Sequence, residues 1–209
     1  MQMALDEALF RHAGESGDAV ARFYGWDQPA TTFGYFTPAG EVPASGAIRR
    51  YTGGGKVEHG EDLTFLLAIP AGAEAAHSSS EERYYWIHSA LAEALCQSGF
   101  PAELETKTLT TTPGPCFQNP VTWDLLAPDS RRKIGGGAQR RTRRGVIHQG
   151  SLRLPAHFRD LHAGWIDLFL QGLSENPSPF PDRERTRALR TAGELEVSRY
   201  GSQDWNGQR

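Results

Sequence analysis

Cysteine is scarce in this 209-residue chain, with only Cys96 and Cys116 present. Two thiols and no CxxC pair exclude a disulfide scaffold and a paired-cysteine metal or redox site, and a reducing, cytoplasmic setting is expected. No apolar run approaches the roughly 20 residues of a membrane helix, so no span is expected. The opening MQMALDEALF carries acidic side chains and no basic stretch, unlike a secretory leader. A charge excess is lacking too: 22 basic against 25 acidic side chains leave a net −3, which gives no overall support to a nucleic-acid partner. The histidines show neither HxH nor HExxH spacing, so no metal site is expected. Hydrophobic residues at 38% and charged residues at 22% exclude a disordered tail or a coiled coil. A chain of this length buries roughly 70% of the surface its unfolded form exposes, enough for one sizeable core.

Periodicity then supplies the elements. Met1, Ala4, Leu5, Ala8 and Leu9 recur at helical spacing, with Asp6 and Glu7 expected on the other side, so a short amphipathic helix opens the chain. Aromatic and β-branched runs at 19–26 and 31–36 read as strands, as does DLTFLLAIP up to Pro70. SEERYYWIHSALAEALCQSGF predicts a helix, with Gly99 just past its end and Cys96 as an apolar filler. Residues 106–120 read as a loop, and WDLLA, RRKIGGGAQRR and RGVIHQGSLRL as three strands. Two helical stretches follow, 156–173 and 183–205, separated by a proline-rich linker at 177–181. Central strands with helices at both ends and one in the middle argue α+β.

Two glycine triplets stand out, Gly53–Gly55 after Arg49-Arg50-Tyr51-Thr52 and Gly135–Gly137 after Arg132-Lys133-Ile134. Three glycines in a row cost backbone entropy and pack nothing, and the usual return is close approach of backbone to a ligand. Neither triplet has the spacing of a phosphate loop or a dinucleotide fingerprint, and a pair of bulges or hairpin turns is the alternative. Strand alternation places Lys133 and Gly135 on one face, where a fixed cation could hold an anion or a developing oxyanion. Cys116 follows Pro113-Gly114-Pro115 in a loop, where a thiol near a lysine could serve as a nucleophile. His59 and His148 end or interrupt strands beside glycine-rich turns. Residues 131–144 hold seven basic side chains and no acidic one. They also lack the aromatics that single-strand readers interleave with charge, which leaves a solvated hairpin or a surface for an acidic protein.

These segments carry a resemblance. RRYTGGGKVEHG resembles the RRxTGGGxVxH segment of the biotin/lipoate protein ligase superfamily, and RKIGGGAQRRTRRGVIHQGSL is similar to its RKIxGxAQxRxxxGxxxxGS segment. MALDEAL at the start and SRYGSQDWN at the end are similar to the family's first helix and its YGxxxWN. The resemblance implies one catalytic domain over residues 1–209, α+β with a mixed, mainly antiparallel sheet packed with helices, and no C-terminal accessory domain. It implies that Lys133 meets the acyl carbonyl or an acyl-adenylate phosphate. It also implies that Arg50, Thr52, Gly53, Gly54, Gly55 and His59, with Gly136, Gly137, Ala138, Arg140 and His148, line the acyl site. The chain departs from the pattern at Lys56, Glu58 and Gly60, and the family's usual strand before MALDEAL is missing, which reads as a truncated or misassigned start.

CFQNPVTWDLL resembles the CFxxPSxYELVV of the cysteine-dependent octanoyltransferases, which makes Cys116 the expected nucleophile. That branch implies acyl carrier protein as donor and a lipoyl domain or glycine-cleavage H-type protein as acceptor. It requires no cofactor, and neither nucleic acid nor membrane is a partner. The alternatives are an ATP- and magnesium-dependent lipoate–protein ligase, a biotin ligase, and a non-catalytic acyl-binding module.

Overall fold

The computed structural model describes residues 1–42, 46–107, 117, 119–160 and 163–207. Helix α1 (Gln2–Ser16) is followed by strands β1 (Val20–Tyr24), β2 (Ala30–Phe33), β3 (Ile48–Arg49), β4 (Val57–His59) and β5 (Leu63–Pro70). Helix α2 (Ser80–Gln97) leads to β6 (Glu103–Leu104), β7 (Leu125–Leu126), β8 (Lys133–Thr142) and β9 (Gly145–Leu152). Helices α3 (Gly164–Leu173), α4 (Asp182–Leu195) and α5 (Gln203–Asn206) complete the described chain. No helix among the described residues is long and apolar enough to cross a membrane.

Six strands form one antiparallel sheet in the order β1-β5-β9-β8-β7-β6. A small second sheet, β3-β2-β4, contains the parallel pair β2–β3. The expected mixed, mainly antiparallel α+β architecture is therefore what the chain adopts. Strand alternation divides the core between the two faces of the large sheet. Leu63, Phe65, Leu67, Leu125, Ile134 and Leu152 pack on one side with Ile87, Leu91 and Leu95 of α2 and Trp165 and Phe169 of α3. Leu66, Ala68 and Ile147 face the other way, against Leu9, Phe10 and Ala13 of α1 and Ala188 of α4. A third cluster joins Met3, Ala4 and Ala8 to Tyr24, Leu195, Tyr200 and Trp205.

Several expectations are corrected. Asp6 and Glu7 do not face solvent; they are 0% and 1% exposed. Each is buried because cations and hydroxyls from distant elements meet it there. Asp6 accepts from Arg22 Nη1 (2.6 Å), Tyr24 Oη (2.8 Å) and Gln149 Nε2 (2.7 Å). Glu7 accepts from Arg11, Arg199 and Tyr200. The stretch 156–173 is not one helix: a 3-10 turn at Ala156–Phe158 stands apart from α3. The stretch 183–205 breaks at Gly201, whose N–H bonds back to Glu196 O in a widened turn before α5 begins. Cys96 is exposed on α2 rather than buried. His148 lies in the middle of β9 rather than at a strand end.

Candidate functional site

The first glycine triplet is a loop between β3 and β4, and it is built around two arginines. Arg50 donates from Nη2 to Gly53 O (2.9 Å) and Gly55 O (2.8 Å), and from Nη1 to Thr32 Oγ1 (2.8 Å). A buried guanidinium thereby satisfies carbonyls that no strand pairs with. Gly54 holds a φ of 86°, the left-handed region that glycine tolerates best. Its carbonyl passes so near Gly34 that any side chain at 34 would overlap it. Arg49, 1% exposed, ties the loop to the C-terminal turn. Its Nε donates to Trp205 O (3.0 Å) and its backbone N–H to Asn206 Oδ1 (2.9 Å), while Trp205 Nε1 donates to Arg49 O (2.9 Å). Thr52 Oγ1 donates to Gln149 Oε1 (2.8 Å), and Gln149 Nε2 passes the link to Asp6. Burial pushes the Asp6 carboxyl above its ordinary range, against the opposing pull of Arg22, Gln149 and Tyr24.

The second triplet is inside strand β8, not a turn. Its neighbours occupy the volume that side chains would need. A Cβ at Gly135 would lie 2.5 Å from Leu152 Cδ2, and one at Gly137 would strike the His148 ring. A Cβ at Gly136 would lie 2.6 Å from both Asp124 Oδ1 and Lys133 Cε. Lys133 thus shares a face with Gly136 and not with Gly135, contrary to simple alternation. The cause is a bulge: Leu125 pairs with Gly135 but Leu126 with Lys133, so Ile134 is an extra residue and the pleat reverses.

Lys133 is only 8% exposed, and its Nζ stands 2.7 Å from Asp124 Oδ2. Asp124 is fully buried and also accepts from Tyr84 Oη (2.6 Å) and Val121 N (2.7 Å). A buried ammonium needs such a counter-charge. On the opposite wall, His59 stacks on Trp26 with ring centroids 4.2 Å apart. Its Nδ1 is 2.8 Å from Asp62 Oδ2 and its Nε2 2.8 Å from Thr32 Oγ1. Burial alone would raise the Asp62 carboxyl, but hydrogen bonds from His59, Ser151 and the Gly60 amide outweigh it and hold the group low. A carboxylate facing Nδ1 assigns that nitrogen the proton. With Thr32 at Nε2, both ring nitrogens are engaged, so His59 presents a ring and no free base.

These walls enclose a tight cleft of about 60 Å³ across β8, β9 and β5. It gathers Arg50, Gly54, His59, Lys133, Gly136, Gly137 and Ala138 from the residues expected from sequence, and adds Met3, Val57, Thr64, Phe117, Gln149, Gly150 and Ser151. Other expected residues lie outside its lining. Thr52, Gly53 and Gly55 act behind the wall through the bonds above. Arg140 is stacked between Tyr35 (3.9 Å) and Tyr51 (4.2 Å). His148 faces α2 on the far side of the sheet, beside Phe65, Tyr84 and His88. Cys116 lies outside the described residues; its neighbour Phe117 lines the cleft, with Lys133 Nζ 6.0 Å and Arg153 Cζ 3.9 Å from its ring centroid. A larger groove of about 1200 Å³ runs between α1, α3 and the 177–181 linker. It contains none of these residues and no glycine-walled approach to a buried cation, so the smaller cleft is the candidate site.

Sequence reasoning missed Asp124, Tyr84, Asp62 and Gln149. Only Asp124 left a signal: a single carboxylate between Trp123 and Leu125-Leu126 is a charge in a segment otherwise made for the core.

Comparison with known proteins agrees with this fold. Residues 1–176 match the model of the lipoyl protein ligase A/B catalytic domain. Octanoyltransferase LipM of Oceanobacillus iheyensis is 31% identical over 182 residues, covering 81% of this chain and 63% of that protein. Octanoyltransferase LipM of Kyrpidia tusciae is 29% identical over 213 residues, covering 94% and 72%. The chain therefore spans less than two thirds of the first relative and under three quarters of the second. Among solved structures, lipoate-protein ligase A bound with ATP superposes with a TM-score of 0.69 at 21% identity, covering 98% of this chain and 92% of that one. The bi-partite lipoate protein ligase of Thermoplasma acidophilum gives 0.66 at 22% identity, covering 99% and 90%.

Proposed function

This chain belongs to the lipoyl protein ligase A/B catalytic-domain family, and on that premise we propose that it transfers an octanoyl or lipoyl group onto a lysine of an acceptor protein. The observation that carries the reading is the Lys133 ammonium, buried against Asp124 at a glycine-walled cleft. An ammonium in that setting meets an acyl oxygen without first shedding a water shell, and it favours negative charge as that charge develops. In the proposed sequence the Cys116 thiolate attacks the thioester carbonyl of an acyl carrier protein. The tetrahedral oxyanion collapses, the carrier sulfur leaves as a thiolate, and Cys116 holds the acyl group. The acceptor lysine, as a free amine, then attacks the new thioester, and an amide forms as Cys116 regains its thiol. Lys133 supports both oxyanions. The Arg50-braced loop and His59 hold the chain of the acyl group, and no cofactor takes part.

Identity near 30% to named octanoyltransferases favours transfer over adenylation. The alternative is an ATP- and magnesium-dependent ligase. One experiment separates the two: the protein is given octanoyl-carrier protein and a lipoyl domain, with and without ATP and magnesium. Octanoylation without ATP, with an acyl adduct mapped to Cys116, is the expected result. Full activity of Cys116→Ala together with a requirement for free lipoate and ATP makes the protein a ligase. Tight acyl binding with no turnover from any donor makes it a binding module.

A further inference from the structure

Lys133 is held in place from behind the sheet. Strand β7 pairs with β8 at Lys133 and Gly135 and then ends. The next inward-facing amide on that edge, Gly137 N–H, would lack a strand partner, and a side chain takes the place of the strand. Tyr84 reaches over from α2, and its hydroxyl accepts from Gly137 N at 2.8 Å. The same hydroxyl donates to Asp124 Oδ1 at 2.6 Å, while the other carboxylate oxygen faces Lys133 Nζ at 2.7 Å. One phenol thus fixes both the glycine strand that walls the cleft and the carboxylate that holds its cation. The Tyr84 ring is itself set against His88 (4.0 Å) and His148 (5.6 Å). Burial keeps both histidines neutral, so neither brings a rival cation to Asp124.

We propose that Tyr84 is a positioning residue for Lys133, acting through Asp124 and Gly137. The proposal rests on the reading of Lys133 as the group that meets the acyl carbonyl. A carboxylate that accepts from Tyr84 and Val121 has part of its charge already engaged, which leaves the ammonium able to turn toward a developing oxyanion. Without the phenol hydroxyl, Asp124 Oδ1 is buried one donor short and draws Lys133 inward. An oxyanion that forms only in the transition state then loses support, while substrate binding is little touched.

The test is a cycle of Tyr84→Phe, Asp124→Asn and the double variant, read in two ways. The first readout is octanoyl transfer. Tyr84→Phe should lower kcat about 10- to 100-fold and change KM less than about threefold. In the Asp124→Asn background the same change should do far less, because the two side chains act as one unit. The second readout is independent of activity: trace acetylation with acetic anhydride, scored by mass spectrometry. Lys133 is compared with Lys56 and Lys107, the chain's other lysines. Tyr84→Phe should slow Lys133 labelling and Asp124→Asn should speed it. Additive losses in log kcat, or a Lys133 labelling rate that neither variant moves, overturn the proposal. Should Tyr84→Phe fail to fold, Tyr84→Leu, which also removes the hydroxyl, takes its place, and a Lys133 labelling rate equal to the parent's overturns the proposal. If the unaltered protein transfers no acyl group, the functional reading falls, and labelling still decides whether Tyr84 governs Lys133.

Discussion

The glycines of β8 do two different jobs, and single methyl groups can tell them apart. A methyl at Gly136 would meet the far end of the Lys133 side chain and the Asp124 carboxylate, whereas one at Gly135 or Gly137 would meet Leu152 and His148. Gly136→Ala should therefore leave the melting temperature within a few degrees of the parent and reduce acyl transfer at least tenfold. Gly137→Ala should lose about 1–3 kcal/mol of stability through overpacking, measured by urea unfolding. Equal stability losses at 136 and 137 would mean that Gly136 is a packing residue and not a window for the lysine. Lys133→Ala removes the ammonium outright, and a loss of two to three orders of magnitude in kcat is expected by comparison with oxyanion donors elsewhere. Either acyl-transfer activity surviving intact in that variant would refute the site.

At the scale of elements, the C-terminal turn acts as a clasp on the glycine loop. Trp205, 8% exposed, bonds Arg49 in both directions, and Arg199 stacks over its ring at 4.7 Å. Trp205→Ala should cost about 3–5 kcal/mol, the range for removing a large buried aromatic. It should also raise KM for the acyl donor more than it lowers kcat, because the loop wall is loosened while Lys133 stays in place. Helix α2 tests a smaller term: Ser79 and Glu82 form a reciprocal capping box, and Ser79→Ala should cost about 1 kcal/mol by thermal unfolding.

Much of this level was legible in the sequence. The periodicity of α1 and α2, the almost continuous apolar run of β5, the strand pattern of β9 and both glycine triplets pointed to elements that exist. What could not be read has a common cause, which is long-range pairing. Asp6 and Glu7 look like solvent-facing charges until Arg22 and Gln149, or Arg199 and Tyr200, arrive from far along the chain. Lys133 changes face because of a bulge that appears only when Leu125 and Leu126 are paired beside it. Tyr84 reads as one more aromatic on a helix face, since nothing local shows that a strand ends beside it.

The whole molecule should lose stability in mild acid. His88 is fully buried and its pKa is pushed down to about 3, mainly by burial, and His148 is shifted in the same direction for the same reason. With folded-state values below the unfolded value near 6.5, the unfolded chain takes up protons first as pH falls. Stability is therefore full above about pH 7 and declines from about pH 6.5 down toward the folded-state value near 3, by roughly 1 kcal/mol per pH unit for each ring. Urea titrations across that window should show the slope, and His148→Phe should remove part of it. A flat profile would mean that the two rings are not buried neutral. Asp6, with its carboxyl raised by burial, pulls the opposite way nearer pH 4, so the steep region lies above that range.

The clasp between Arg49 and Asn206 joins residues 157 positions apart, and Gln149 reaches Asp6 across 143. Contacts so distant along the chain close late, because the entropy of closing large loops is met before any contact repays it. Helices α1 and α2 and the β8–β9 hairpin can form from local contacts alone, yet the cleft lacks its second glycine wall until the loop at 49–55 is pinned. On refolding from urea, circular dichroism should recover first and the ability to transfer an acyl group should lag behind it. The candidate cleft is a property of the folded chain and not of any single segment that carries its motifs.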